Sequence, residues 1–218
     1  MELKNKTINF LGDSITEGCG TSCKEAVFHS IIKEKYGLKE VRNYGEGGTR
    51  IARQSEVKNI ARDRDFILRT WEMNPDADVV VVFGGTNDFG NGQAPLGKFT
   101  DRGMYTFYGA VHFLIRALIE KYLGKQIVFM TPLHRWNENG EGAWKPDGVK
   151  QMKLKDYAHA IKEVCEYYSV PVLDLFAEGE LRGNTAEWYK QLMPDGVHPN
   201  DEGHKIIANK LGKFLENL

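Results

Sequence analysis

The chain has 218 residues, of which 41% are hydrophobic and 27% are charged, and its formal net charge is -1. Such a composition is typical of a globular protein with one substantial core, and the charge gives no electrostatic reason to expect a nucleic acid or a membrane as partner. No apolar run approaches the roughly 18 residues of a membrane span, and residues 1–6 lack the apolar segment of a signal peptide. We therefore expect one domain over residues 1–218 and a cytoplasmic location, although a removed signal peptide would leave no trace.

Apolar runs and helical periodicity alternate along the chain. In order, the pattern predicts a strand at 8–11, a helix at 25–36, a strand at 39–43, a polar helix at 54–72, a strand at 79–83, a helix at 104–123, a strand at 126–131, a helix at 149–168, a strand at 171–175, a short helix at 187–193 and a helix at 201–217. Residues 79–83 are four valines and a phenylalanine, as expected for the middle of a parallel sheet. The alternation predicts a parallel sheet with helices on both faces and with its functional loops at the carboxyl ends of the strands.

Glycines and apolar stripes define the ends and faces of these elements. Gly37 is expected to end the helix at 25–36. The second strand leads into a turn that is expected to need unusual backbone angles at three glycines, Gly45, Gly47 and Gly48. The helix at 54–72 is expected to bury a loose apolar stripe, Ile60, Ile67, Leu68 and Trp71.

Four polar segments follow predicted strands or lie near the C-terminus. They are Gly12-Asp13-Ser14, Asn43-Tyr44-Gly45-Glu46-Gly47-Gly48, Gly84-Gly85-Thr86-Asn87-Asp88 and Asp195-Gly196-Val197-His198-Pro199. A serine is a weak nucleophile at neutral pH and needs a general base that an acceptor holds in one tautomer. Ser14 alone could simply cap a helix, but with His198 as base and Asp195, three residues earlier across a tight turn, as acceptor it is a candidate nucleophile.

Attack of a serine on an acyl carbonyl also requires donors for the developing negative charge on oxygen. Three donors are available in these segments. The backbone N–H of Ser14 points outward if a helical turn begins there, and the N–H of Gly48 is free to approach a ligand. The side-chain amide of Asn87 lies just after the central strand.

These four segments, in this order, make the chain resemble the SGNH hydrolase superfamily, also called GDSL esterases and lipases, over residues 8–204. The resemblance implies that Ser14 is the nucleophile and one oxyanion donor, that Gly48 and Asn87 are the other donors, and that His198 and Asp195 complete the triad. The choice of Gly48 rests on the family spacing from Asn43. The resemblance also implies a flavodoxin-like three-layer α/β/α sandwich around a five-stranded parallel sheet, and no metal or organic cofactor.

The function expected from this resemblance is hydrolysis of short-chain acyl esters through an acyl-enzyme, with an acetylated carbohydrate as substrate. The polar loops that carry Trp136 and Trp144, and the lack of a long apolar lid in the sequence, favour a small or oligosaccharide ester as the partner. The nearer alternative is a lysophospholipase or thioesterase of the same fold. A non-catalytic carbohydrate-binding protein and a flavodoxin-like phosphate or nucleotide binder are alternatives of other classes, although the chain lacks the G-x-x-x-x-G-K-[ST] motif.

Four residues are candidates for substrate contact: Asp13, His134, Trp136 and Trp144. Each has a structural alternative. Asp13 could cap the turn beside the serine, His134 could lie outside the pocket, and the tryptophans could fill the core instead of stacking on a sugar ring or covering an acyl chain. Asp88 is expected to cap or brace the loop that follows it.

Other histidines and the cysteines are expected to be structural. His112 is predicted to be a core histidine and His204 to pack or hydrogen-bond on the last helix. A metal site of Asp195, His198 and His204 is an alternative, but it would leave the serine and oxyanion segments without a role. The cysteines (Cys19, Cys23 and Cys165) are too few and odd in number for a disulfide framework. The first two could line the site or bind a metal, but all three are predicted to be buried free thiols.

Overall fold

The structure, a computed structural model, describes residues 1–56, 63–140 and 152–218. Its centre is a five-stranded, all-parallel sheet in the order β2-β1-β3-β4-β5. The strands are β1 (Thr7–Gly12), β2 (Glu40–Gly45), β3 (Val79–Phe83), β4 (Gln126–Met130) and β5 (Val172–Leu173). The predicted five-stranded parallel sheet and the α/β fold class are confirmed.

The strand register brings the carboxyl ends of the strands to one edge of the sheet. Gly12 of β1 lies beside Gly45 of β2 on one side and Phe83 of β3 on the other, and Phe83 lies beside Met130 of β4. The segments that follow these strands therefore begin next to one another. This is why residues far apart in sequence can form one site at this edge.

Helices cover both faces of the sheet. They are α1 (Ser14–Glu17), α2 (Phe28–Tyr36), α3 (Phe66–Thr70), α4 (Thr86–Gly90), α5 (Phe107–Lys121), α6 (Leu154–Tyr167), α7 (Leu175–Glu178), α8 (Ala186–Leu192) and α9 (Asp201–Glu216). Helices α2 and α9 pack together in one layer, and α5 packs against α3 and α6 in the other. Alternate residues of β3 serve the two cores: Val79 and Val81 face the α2/α9 layer, and Val80 and Val82 face the opposite one. None of the helices in the described residues is long and apolar enough to cross a membrane.

The predicted helix at 25–36 is divided into two parts. A short 3₁₀ turn over Lys24–Ala26 precedes α2, because Val27 has an extended backbone with φ -72° and ψ 138°. Gly37 ends α2 with a φ of 62°, as predicted.

The predicted polar helix at 54–72 is mostly wrong. Only α3 is helical among the described residues of this range, and it begins after Asp65, whose side chain accepts a hydrogen bond from the Leu68 amide. Of the predicted stripe, Ile67 is buried but Leu68 and Trp71 are exposed. Ile60 lies outside the described residues, as does the predicted start of the helix at 149–168.

Candidate active site

Ser14, His198 and Asp195 form one hydrogen-bonded chain at the carboxyl edge of the sheet. The Ser14 Oγ lies 2.9 Å from His198 Nε2, although the two residues are 184 positions apart in sequence. His198 Nδ1 lies 2.5 Å from Asp195 Oδ2. A carboxylate at Nδ1 fixes the tautomer in which Nδ1 donates, so Nε2 is left as an acceptor that faces the serine hydroxyl.

The loop before α9 holds Asp195 in place through its own backbone. Asp195 Oδ1 accepts from the amides of Val197, at 2.9 Å, and His198, at 2.7 Å. Burial acts to raise the pKa of Asp195, but the hydrogen bonds from the His198 amide, the His198 ring and the Val197 amide outweigh it and keep the pKa below its usual value. The carboxylate is therefore charged at neutral pH, as a partner of an imidazole must be.

Asp13 lies behind the nucleophile and caps the short helix α1. Its side chain is 2% exposed and accepts a hydrogen bond from the Ile15 amide at 3.0 Å. Burial raises the pKa of Asp13 to about 6, against the opposing effects of the Ile15 amide and the charges of His198 and Arg69. Asp13 therefore has the capping contact named above as its structural alternative, and its buried side chain does not lie on an open pocket wall.

Two backbone amides are free to bind an oxyanion. The N–H groups of Ser14 and Gly48 donate a hydrogen bond to none of the described residues. Gly48 has a φ of 76°, a conformation that favours glycine, whereas Gly45 and Gly47 do not have positive φ, so the prediction of unusual angles holds for one of the three glycines.

Asn87, at the start of α4, is tied to the Gly48 turn. Its Nδ2 donates to the Thr49 carbonyl at 3.0 Å, which leaves the second N–H of the amide for a ligand. The carboxylate of the neighbouring Asp88 accepts from the amides of Ile51, at 3.0 Å, and Ala52, at 2.8 Å, so it braces the segment after β2, whereas the prediction placed this role in the loop that follows Asp88.

A buried arginine that the sequence analysis missed fixes the frame of the site. Arg69 is 2% exposed, and its guanidinium donates to three groups: the Tyr44 carbonyl at 2.6 Å, the Gly12 carbonyl at 2.9 Å and the Thr49 hydroxyl at 2.8 Å. Burial lowers the pKa of Arg69 to about 10, so it stays charged at neutral pH. The side chain thus joins the ends of β1 and β2 to the Gly48 turn. Its position three residues after the buried Phe66 was the available signal, because i and i+3 share a helix face.

The loop after β4 carries His134 and Trp136, two of the four candidates for substrate contact. His134 is half-buried and pairs with Glu138, its Nδ1 lying 2.8 Å from Oε2, and its ring packs 4.1 Å from that of Phe176. Trp136 is 56% exposed, and its backbone amide donates to the Gly196 carbonyl at 3.0 Å. Its ring covers Gly196 so closely that a Cβ there would lie 2.6 Å from the ring. Trp136 therefore contacts the loop of His198, while Trp144 lies outside the described residues.

The other histidines have the structural roles that the sequence indicated. His204 is buried, and its Nδ1 accepts from the Phe28 amide at 3.2 Å. His112 is buried, with its Nε2 2.9 Å from the Phe99 carbonyl and its Nδ1 3.2 Å from the Tyr168 hydroxyl.

The prediction that all three cysteines are buried is wrong for two of them. Cys19 and Cys23 are exposed, because the segment after α1 runs over the surface, whereas Cys165 is buried in α6. Within residues 1–56, 63–140 and 152–218, no group of three histidine, cysteine or acidic side chains is placed to hold a metal ion.

A parallel-sheet α/β fold with a serine, a histidine and an aspartate in one hydrogen-bonded chain is shared with known hydrolases. The chain matches the model of the GDSL-like lipase/acylhydrolase family over residues 10–206 and belongs to that family. This confirms the resemblance, and membership in the family implies an ester hydrolase.

Solved structures share this fold. One is 32% identical, with a TM-score of 0.85, over 100% of this chain and 99% of that chain. A protein from Lactobacillus plantarum is 29% identical, with a TM-score of 0.84, over 98% of each chain. The lipase/acylhydrolase from Enterococcus faecalis is 18% identical, with a TM-score of 0.65, over 97% of this chain and 96% of that chain, and this match bears on the fold alone. No curated protein matches this chain.

Proposed function

We propose that this protein is a serine esterase that hydrolyses short-chain acyl esters through an acyl-enzyme, with Ser14, His198 and Asp195 as its triad. The observation that carries the proposal is the hydrogen-bonded chain from Ser14 Oγ to His198 Nε2, at 2.9 Å, and from His198 Nδ1 to Asp195 Oδ2, at 2.5 Å. The Ser14–His198 distance lies in the range in which a base can take a proton from a nucleophile, and the contact with Asp195 orients that base.

In the acylation step, His198 Nε2 accepts the Ser14 proton as Oγ attacks the ester carbonyl. The N–H groups of Ser14 and Gly48 and the Asn87 amide donate to the oxyanion, and Asp195 stabilises the imidazolium of His198. The tetrahedral adduct collapses, and the alcohol leaves with the proton from His198. Water then attacks the acyl-enzyme with His198 as base, and the acid product leaves as Ser14 regains its proton.

A short acyl group and a carbohydrate alcohol are the substrate parts that we propose. Trp136 supports the sugar, because an exposed indole ring beside the base-bearing loop offers a stacking face.

The test is hydrolysis of 4-nitrophenyl esters from acetate to octanoate by the wild type and by Ser14→Ala. We expect kcat/KM to fall with chain length and Ser14→Ala to lose at least about 10³-fold, because single triad deletions remove most of the catalysis. Ser55→Ala, which removes an exposed serine, is the matched control and should retain the wild-type rate.

Labelling identifies the nucleophile independently of the rate. A fluorophosphonate should add one equivalent to the wild type, and peptide mass spectrometry should locate it on Ser14. Turnover that persists in Ser14→Ala would contradict the nucleophile assignment. The absence of both turnover and labelling in the wild type would overturn the esterase proposal.

A further inference from the structure

Arg135, in the loop after β4, lies beside the segment that carries Asn87. Its Nη1 donates to the hydroxyl of Thr86 at 3.1 Å and to its carbonyl at 3.3 Å, and Thr86 directly precedes Asn87. The next residue, Trp136, binds the loop of His198 through Gly196. The guanidinium stacks on Phe89, with its Cζ 5.6 Å from the ring centroid. The loop after β4 thus places the Arg135 cation against the segment that carries Asn87, and the neighbouring Trp136 against the base-bearing loop.

This cation has no anionic partner among the described residues. No carboxylate of residues 1–56, 63–140 and 152–218 forms an ion pair with Arg135, in contrast to Arg53, whose Nε lies 2.7 Å from Asp65 Oδ2. Nε of Arg135 is closed off from solvent and has no hydrogen-bond partner. Nη2 donates to none of the described residues either, but it is not closed off. A half-buried guanidinium with this many unused donors is costly unless another group supplies the acceptors.

The charges around Arg135 are those of the site itself. Burial lowers the pKa of Arg135, and the negative charges of Asp13 and Asp195 oppose this effect. One of these carboxylates caps the helix of the nucleophile, and the other holds the base. Both already accept hydrogen bonds from their own segments, the Ile15 amide and the His198 ring respectively, so neither compensates Arg135 by direct contact.

We propose that Arg135 binds an anionic group of the ester substrate, a carboxylate or a phosphate, and that the enzyme therefore prefers acidic esters to neutral ones. An anionic oxygen at Nη2 would accept a charge-assisted hydrogen bond, which is stronger than a neutral one. This inference rests on the proposed esterase function and narrows its substrate class from short-chain esters to those that carry a negative charge near the scissile bond.

Matched pairs of esters test this preference. In one pair the charge is in the alcohol part, 4-acetoxybenzoate against its methyl ester. In the other the charge is in the acyl part, 4-nitrophenyl hemisuccinate against 4-nitrophenyl butyrate. For the wild type we expect kcat/KM to be about 10- to 100-fold higher for the acidic member of at least one pair, and the acidic-to-neutral ratio to fall by a similar factor in Arg135→Gln.

The ratio separates binding of an anion from a structural role. A purely structural Arg135 would lower kcat/KM for both members of a pair together and leave the ratio unchanged, which would overturn the proposal. Arg116→Gln removes the same charge from an exposed position of α5 and should change neither member. Equal rates on both members in the wild type, with Ser14-dependent turnover of the neutral ester, would refute the anion site and leave the esterase proposal standing.

A binding measurement makes the test independent of turnover. We expect 4-hydroxybenzoate, succinate or phenyl phosphate to bind Ser14→Ala in calorimetry, and the double variant with Arg135→Gln to bind at least about tenfold more weakly. The three anions distinguish carboxylate from phosphate. If none of them binds in an Arg135-dependent way, the proposal is wrong even if no ester is ever turned over.

Discussion

Replacing Asp13 by asparagine should make the protein more stable at neutral pH and should do so only there. The carboxylate is 2% exposed, and burial raises its pKa to about 6, from an ordinary value of 3.8. Asparagine has almost the same shape, and its Oδ1 can still accept from the Ile15 amide, so the change removes the charge and keeps the helix cap.

The size and sign follow from proton linkage. A carboxyl whose pKa is higher in the folded state binds its proton more tightly there than in the unfolded chain, so the free energy of unfolding falls as pH rises between the two pKa values. The window is therefore about pH 4 to 6. With about 1.4 kcal/mol for each pKa unit, the difference in free energy of unfolding between Asp13→Asn and the wild type should grow by about 2 kcal/mol from pH 4 to pH 7.

Urea unfolding followed by tryptophan fluorescence at half-unit steps of pH measures this difference. Asp76→Asn, which removes an exposed aspartate, controls for the loss of one negative charge. A difference between Asp13→Asn and the wild type that is flat with pH would refute the reasoning, because it would mean that folding does not desolvate Asp13. If Asp13→Asn became less stable relative to the wild type as pH rises, the Asp13 anion would be favoured in the folded state.

Three further substitutions test the frame of the site. Asn87→Ala should lower kcat for acetate esters by about 10²- to 10³-fold with little change in KM, because the amide is proposed to bind the oxyanion, and a higher KM with an unchanged kcat would contradict that role. Arg69→Met should lower the free energy of unfolding by about 2 to 4 kcal/mol in urea titrations, since the Tyr44 and Gly12 carbonyls and the Thr49 hydroxyl each lose a charged donor, and Arg69→Lys should recover part of the loss. Gly48→Ala should cost about 1 kcal/mol of stability, because alanine is strained at a φ of 76°, and should lower kcat more than it raises KM.

The parts of the site that the sequence predicted are those encoded in short local patterns. An apolar run followed by Gly-Asp-Ser marks the end of β1, and the three-residue spacing of Asp195 and His198 fits a turn in which one carboxylate oxygen binds two amides and the other binds the ring. A parallel sheet then brings the ends of β1, β2 and β3 together by geometry alone. Placement of Ser14, Gly48 and Asn87 at one edge therefore needed no knowledge of individual long-range contacts.

The residues that were missed act through contacts with no local signature. Residues 54–72 contain enough apolar positions to suggest a long helix, but helical periodicity does not reveal that a buried cation occupies the core-facing side. Arg69 is held there by carbonyls of β1 and β2, which are 57 and 25 residues away in sequence. The exposure of Cys19 and Cys23 likewise has no local signature, because burial of a small apolar residue depends on which segment of the chain packs over it and not on its neighbours in sequence.

The two arginines of the site, Arg69 and Arg135, differ in how many of their N–H donors are hydrogen-bonded. We use this difference, and not the burial of the charge, to distinguish a structural cation from one that binds a ligand. Arg69 is the more buried of the pair, yet both of its Nη groups are bound to fixed acceptors, and its Thr49 and Tyr44 partners are parts of the frame. Arg135 donates from Nη1 alone and to a single residue, Thr86, so most of its hydrogen-bonding capacity is unused beside the segment that carries Asn87. The same criterion predicts opposite results for their substitutions: removal of Arg69 should chiefly lower stability, and removal of Arg135 should chiefly alter the choice between acidic and neutral esters.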